Sequence, residues 1–250
     1  MINTWVFGAT GSIGTVLCKA LLERGDNVVA FTSSGVSSVD LPIDDANTGR
    51  FIPQDCDLSS FESLEKLLIL SKNPSFIPTH VIFLARGKVP VDSLSDDFAW
   101  GELAIQDLMI SLLSPMRFTM KLISEKNTVL QTVTLVSSQY AFVAQDPKIY
   151  SNPELFVSSI YSAVRGGIIS GARSLGVLAI KNGIRVNSLV LGGIKETASL
   201  DLQASIENRL PSGSMVTTRS ACEWLLFLAS DRSFGAIGSP IIVDNGWTSI

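Results

Sequence analysis

Tyr161 and Arg165 stand four residues apart in FVSSIYSAVRGGI, 156–168, a segment rich in small and apolar residues. On a helix that spacing places both side chains on one face, a turn apart. A guanidinium beside a phenol favours the phenolate, because a cation within about 4–6 Å stabilises the ionised form of an acid. The pair is therefore either a candidate general acid or base, or an ordinary surface contact. Tyr140 and Tyr150 lack the pattern, having Ala144 and Glu154 four positions on, and read as pocket or packing residues. The single histidine, His80, stands just before an apolar strand and reads as structural rather than as part of a Ser-His-Asp triad.

Short β-branched or apolar runs alternate with longer amphipathic segments along the whole chain. TWVFGA precedes a helix predicted near 12–24; NVVAFT and RFIPQD precede one near 60–70; THVIFLA precedes one near 96–124. TVTLVSS, the helix carrying Tyr161, RVNSLVLGG, a helix near 218–229 and SPIIVDNG continue the series. This alternation predicts βαβ units and an α/β fold: one doubly wound Rossmann-type domain over 1–250 with a seven-stranded parallel sheet. Two polar connections, 33–49 and 140–156, are long enough to cover a binding site.

Composition narrows the function. The chain is 46% hydrophobic and 17% charged, yet Gly, Pro, Ser or charge interrupts each apolar run before about 18 residues, so no membrane span is expected. MINTWVFGATG lacks the basic start and long apolar stretch of a signal peptide, and the expected compartment is the cytoplasm. A net charge of −4 without a local Lys/Arg cluster argues against nucleic acid. Cys18, Cys56 and Cys222 are widely spaced, with neither a disulfide framework nor metal-binding spacing, and read as reduced, buried thiols; no metal is expected.

GATGSIG, 8–14, follows the first strand and opens the first helix. Glycines there let the backbone approach a pyrophosphate, whose charge is met by free amides at the positive end of the helix. The spacing Gly8, Gly11, Gly14 differs from G-x-G-x-x-G, but its place after strand one favours a nucleotide. After NVVAFT, Thr32, Ser33 and Ser34 stand where an NAD site would carry a carboxylate on the ribose. Hydroxyls do not repel a 2′-phosphate, so NADP is preferred over NAD, although no nearby arginine completes the site. Asp57 either orients adenine or caps the following helix.

From Val6 to Trp247 these motifs, in this order, resemble the short-chain dehydrogenases/reductases. The glycine loop matches. Ser138 in TLVSSQY resembles the family's substrate-binding serine, with Ser137 the structural neighbour, and Tyr161 matches its catalytic tyrosine. IRVNSLVLGGI and FLASDRSFGAIGSPIIVDNGW resemble its nicotinamide-side turn and C-terminal segment. The resemblance implies catalytic roles for Ser138, Tyr161, Arg165 and Ser111. It implies cofactor contacts from Gly8, Thr10, Ser12, Ile13 and Gly14, from Thr32, Ser33, Asp57 and Leu58, from Ala85, Arg86 and Gly87, and from Tyr161, Arg165, Gly192 and Ile194. Lys195 and Thr197 either touch the cofactor or belong to a solvated loop. Within the family, the long Ser138 to Tyr161 interval and YSAVRGGIISGARSLG, with RVNSLVLGGI after it, resemble a branch associated with bacterial surface-sugar and nonulosonic-acid pathways, which implies a small-molecule substrate. A homodimer or homotetramer is also implied, with Ser162, Ala163, Gly166, Gly167, Ser170 and Gly171 small enough to pack a partner helix.

Four departures from the family stand out. Arg165 replaces its lysine, Ser111 its active-site asparagine, Leu84 to Gly87 (LARG) its Asn-Asn-Ala-Gly, and Leu191-Gly192 its Pro-Gly turn. Arginine keeps the charge but cannot act in a lysine-type proton relay. Two functions follow: an NAD(P)-dependent oxidoreductase on a secondary alcohol or ketone, or a dinucleotide-binding regulatory protein with weakened turnover.

Overall fold

Every residue of β1 (Asn3–Phe7) and β2 (Asn27–Thr32) is buried, as strands covered on both faces must be. The computed structural model describes residues 2–33, 35, 49–89, 96–125, 129–150 and 158–250. Among them the chain also forms α1 (Ser12–Glu23), β3 (Phe51–Asp55), α2 (Phe61–Leu70), β4 (His80–Phe83), α3 (Asp97–Leu108), α4 (Ser114–Ser124) and β5 (Thr132–Ser138). It continues with α5 (Ser159–Ala179), β6 (Arg185–Leu191), α6 (Leu200–Glu207), α7 (Thr218–Leu228) and β7 (Pro240–Val243). The seven strands form one parallel sheet in the order β3-β2-β1-β4-β5-β6-β7. That order reverses between β1 and β4, the position where open α/β sheets bind ligands beyond their carboxyl ends.

Alternation along β1 divides the core. Trp5 and Phe7 face a layer that includes Phe118 and Ile168, whereas Val6 faces Leu17, Leu21 and Leu225. Parallel register sets Phe7 opposite both Phe31 and Phe83, and its ring stacks on theirs at 4.3 and 4.6 Å between centroids. Each such buried ring contributes about 1.5–3 kcal/mol, and together they pin the strands that end at the crevice.

The long helix expected over 96–124 is interrupted by a π-helical turn, Met109–Leu113, between α3 and α4. Asp96 caps it, its Oδ1 accepting from the amides of Phe98 and Ala99. A short helix, α6, stands in the 193–214 connection, where no element was expected. His80 is structural: its Nδ1 lies 2.8 Å from Thr132 Oγ1, and burial, reinforced by the Arg24 charge, pushes its pKa down to about 4. The three cysteines are buried and free.

The segment Ser159–Asn182 is long and apolar enough, by length and composition, to cross a membrane. Here it forms the core helix α5, packed on β5, β6 and α4. The small residues along it are not all available to a partner. A side chain at Gly167 would meet Leu112 at 2.9 Å, and one at Gly171 would run into Met116, so both glycines pack inside the subunit. Gly166 has nothing within 4 Å.

Candidate functional site

A cleft of about 540 Å³ opens at the carboxyl ends of the strands. One end is built by the loop from β1 to α1. Gly8 adopts φ +87° and lies so close to Ala85 that a Cβ would approach its backbone nitrogen to 2.7 Å; a Cβ at Gly14 would strike the Gly8 carbonyl. These two glycines are therefore required by the turn itself. Gly11 differs, with ordinary extended backbone and room for a Cβ at 3.4 Å. It is the N-cap of α1, whose first turn has neither a side-chain cap nor an acidic residue. The helix end thus presents its partial positive charge to the cleft, where Thr10, Ser12 and Ile13 also lie.

Thr32 and Ser33 from the end of β2, and Asp57 and Leu58 after β3, line the same end. Ser34 and much of the 33–49 connection lie outside the described residues, as do 151–156 of the second long connection. Asp57 Oδ1 accepts from the amide and hydroxyl of Ser59 at 2.8 and 2.7 Å, closing the turn before α2. The helix cap itself is Ser60.

Ala85 and Arg86 after β4, Ser138 at the end of β5, Tyr161 and Arg165 on α5, and Gly192 and Ile194 after β6 line the other end. Ser138 Oγ accepts from the Tyr140 amide at 3.3 Å, which leaves its hydroxyl proton for a ligand. Ser137 is structural, donating to the Arg165 carbonyl at 2.8 Å. Tyr140 lines the cleft, and its hydroxyl lies 3.1 Å from that of Tyr150. Burial pushes both phenols above the ordinary tyrosine range. Lys195 is turned away from the cleft into an ion pair with Glu207 at 2.9 Å, while Thr197 lines it.

Ser111 and Gly87 do not line the cleft; they stand behind its wall and meet at a residue the sequence reading did not single out. Asp107, wholly buried, accepts on Oδ1 from the Gly87 amide at 3.1 Å, from Ser111 Oγ at 2.6 Å and from Arg165 Nη2 at 3.3 Å. Gly87 is needed for this approach, since a Cβ there would lie 2.5 Å from Asp107 Cα. Ser111, in the π-helical turn, also accepts from Arg165 Nη2 at 3.2 Å. The Arg165 guanidinium carbon lies 4.5 Å from the Tyr161 ring centroid. The two side chains do share a helix face, but the cation meets the ring and is already paired with a carboxylate. One signal for Asp107 was present in the sequence: an acid inside the apolar run LAIQDLMISLL, one helical turn before Ser111.

Residues 149–248 match the family model described as Enoyl-(Acyl carrier protein) reductase. The chain is 25% identical to the uncharacterized short-chain type dehydrogenase/reductase y4vI of Sinorhizobium fredii over 98% of its own length, and spans 43% of that protein. It is 25% identical to post-translational flagellin modification protein A of Campylobacter coli, covering 97% of this chain and 96% of the relative. Among solved structures, a short chain dehydrogenase from Leptospira borgpetersenii with bound NAD+ superposes with a TM-score of 0.85 at 21% identity, over 99% of this chain and 92% of that one.

Proposed function

The chain belongs to the short-chain dehydrogenase/reductase family, and from that premise we propose that it is a nicotinamide-dependent oxidoreductase interconverting a secondary alcohol and a ketone. The observation that carries this reading is the joining, in one cleft, of the open helix end at Gly11 with Ser138 and Tyr161 at the far side. The uncompensated N-terminus of α1 and the bare Gly11 fit a pyrophosphate, and the cleft extends from there to the tyrosine. Thr10, Ser12 and Ile13 would hold the phosphates, Thr32 and Ser33 the adenosine ribose, Asp57 and Leu58 the adenine, and Ala85, Gly192 and Ile194 the remainder. A bound nicotinamide supplies or accepts the hydride.

Tyr161 gives its proton to the carbonyl oxygen during reduction and takes it back during oxidation. Ser138, its hydroxyl proton uncommitted, donates a hydrogen bond to the same oxygen and orients it. Arg86 is exposed on the cleft and adds a positive charge suited to an anionic ligand. The hydroxyls beyond β2 favour NADP over NAD. A sugar or sugar-derived acid as substrate agrees with the branch resemblance and with a relative named for flagellin modification. The same reading includes self-association through the outer face of α5.

A second reading, a dinucleotide-binding protein with weakened turnover, draws on the pairing of Arg165 with Asp107. Titration with NADPH and NADH, followed by a panel of keto sugars with nicotinamide absorbance as readout, separates the two. Binding without turnover on any carbonyl selects the second reading, and absence of dinucleotide binding removes both.

A further inference from the structure

Arg165 and Asp107 form a charge pair inside the protein wall, their side chains 5% and 0% exposed. Stability alone does not account for it. Asp107 Oδ2 and Arg165 Nε have no hydrogen-bond partner among the described residues, and a buried pair bonded this incompletely stabilises a fold poorly compared with apolar packing. What the pair does achieve is geometric. The carboxylate is anchored by the Gly87 amide, which is independent of Arg165, and by Ser111, whose hydroxyl donates to the carboxylate and accepts from the same guanidinium. It therefore fixes where the guanidinium can lie, and that place is against the ring of Tyr161.

We propose that Asp107 is a positioning residue: its carboxylate holds the Arg165 guanidinium against the Tyr161 ring and cancels the cation's charge there, so that the arginine orients the phenol without acting on it as a free cation. This rests on the dehydrogenase reading, in which Tyr161 is the proton-transfer group, and it gives the replacement of lysine by arginine a counterpart in the same wall. Among the described residues, the charged and titratable groups that act on Tyr161 are Arg165 from its own helix and Tyr140 and Tyr150 from the connection after β5, while Asp107 from α3 reaches it through Arg165.

The test is a tyrosinate titration by near-ultraviolet absorbance, which needs neither cofactor nor substrate. It can therefore fail while the dehydrogenase reading stands, and the reverse. The chain has three tyrosines, and the step that Tyr161→Phe abolishes is assigned to Tyr161. In Asp107→Asn the guanidinium loses its counter-charge, and the midpoint of that step should fall by about one pH unit, a tenfold change in ionisation constant. In the double variant Asp107→Asn, Arg165→Met both charges go together, and the midpoint should return to the wild-type value. An unmoved midpoint in folded Asp107→Asn overturns the proposal. So does a double variant that titrates well above wild type, since the guanidinium would then have acted as a net cation all along. If Asp107→Asn does not fold, the double variant still tests the proposal, because a midpoint well above wild type overturns it.

Discussion

Arg165 contacts Tyr161 through the face of its ring, 4.5 Å from the centroid, and no hydrogen bond joins the guanidinium to the phenol oxygen among the described residues. A cation over an aromatic face is attracted by the ring's quadrupole. The contact therefore fixes the ring while leaving the hydroxyl to the cleft, and this division of labour shapes what each substitution should do.

Tyr161→Phe keeps the ring and its contact with Arg165 but removes the group assigned to proton transfer. The catalytic rate should fall by roughly 10²-fold or more, with dinucleotide affinity unchanged. Steady-state kinetics beside a binding titration check this, and full activity would remove Tyr161 from the chemistry.

Gly11→Asp separates folding from binding. The position has room for a Cβ and caps α1, where Asp is a favoured residue, so the melting temperature should hold. A carboxylate facing an incoming pyrophosphate should weaken dinucleotide binding by about tenfold or more, or about 1.4 kcal/mol. Unchanged affinity in calorimetry would reduce the glycine loop to a tight turn.

Arg165→Met strands the buried Asp107 carboxylate. Removing one partner of such a pair costs about 3–5 kcal/mol, so the denaturation midpoint should drop sharply, and any loss of activity must be read beside that drop. A variant as stable as the parent would show that the ion pair contributes nothing to the fold.

Acid should destabilise the protein through His80. Its pKa in the folded chain lies near 4 because of burial and then the Arg24 charge, against about 6.5 unfolded. Between these values the unfolded chain binds the proton and the folded chain does not. Stability is thus fully present above pH 6.5 and is lost as pH falls towards 4, by about 3 kcal/mol in total. Urea unfolding across this window should show a slope that His80→Gln flattens.

Self-association should run through the outer face of α5. Gly166→Leu adds a side chain where a Cβ meets nothing within the subunit and improves helix propensity, so it should spare the fold while dissociating the oligomer. A monomer mass for the parent chain in light scattering at micromolar concentration would withdraw this expectation.

Much of this was legible in the residues themselves. Strands such as NVVAFT announce themselves by β-branched and apolar runs, helices by period, and the glycine loop by its place between the first strand and the first helix, because these signals are local and act within a turn or a pleat. The shared face of Tyr161 and Arg165 is of the same kind. The environment of that face is not. Asp107 and Arg165 are 58 residues apart, and they meet only because Gly87 allows α3 to approach the end of β4 and α5 packs against the turn that follows α3. No local pattern encodes which buried acid will face which buried base. Whether Gly166 or Gly167 faces outward depends likewise on the packing of the π-helical turn before α4, through Leu112. Periodicity determined which residues share a face; only the packing of distant elements decided what each face meets, and hence that the cation beside Tyr161 is already paired.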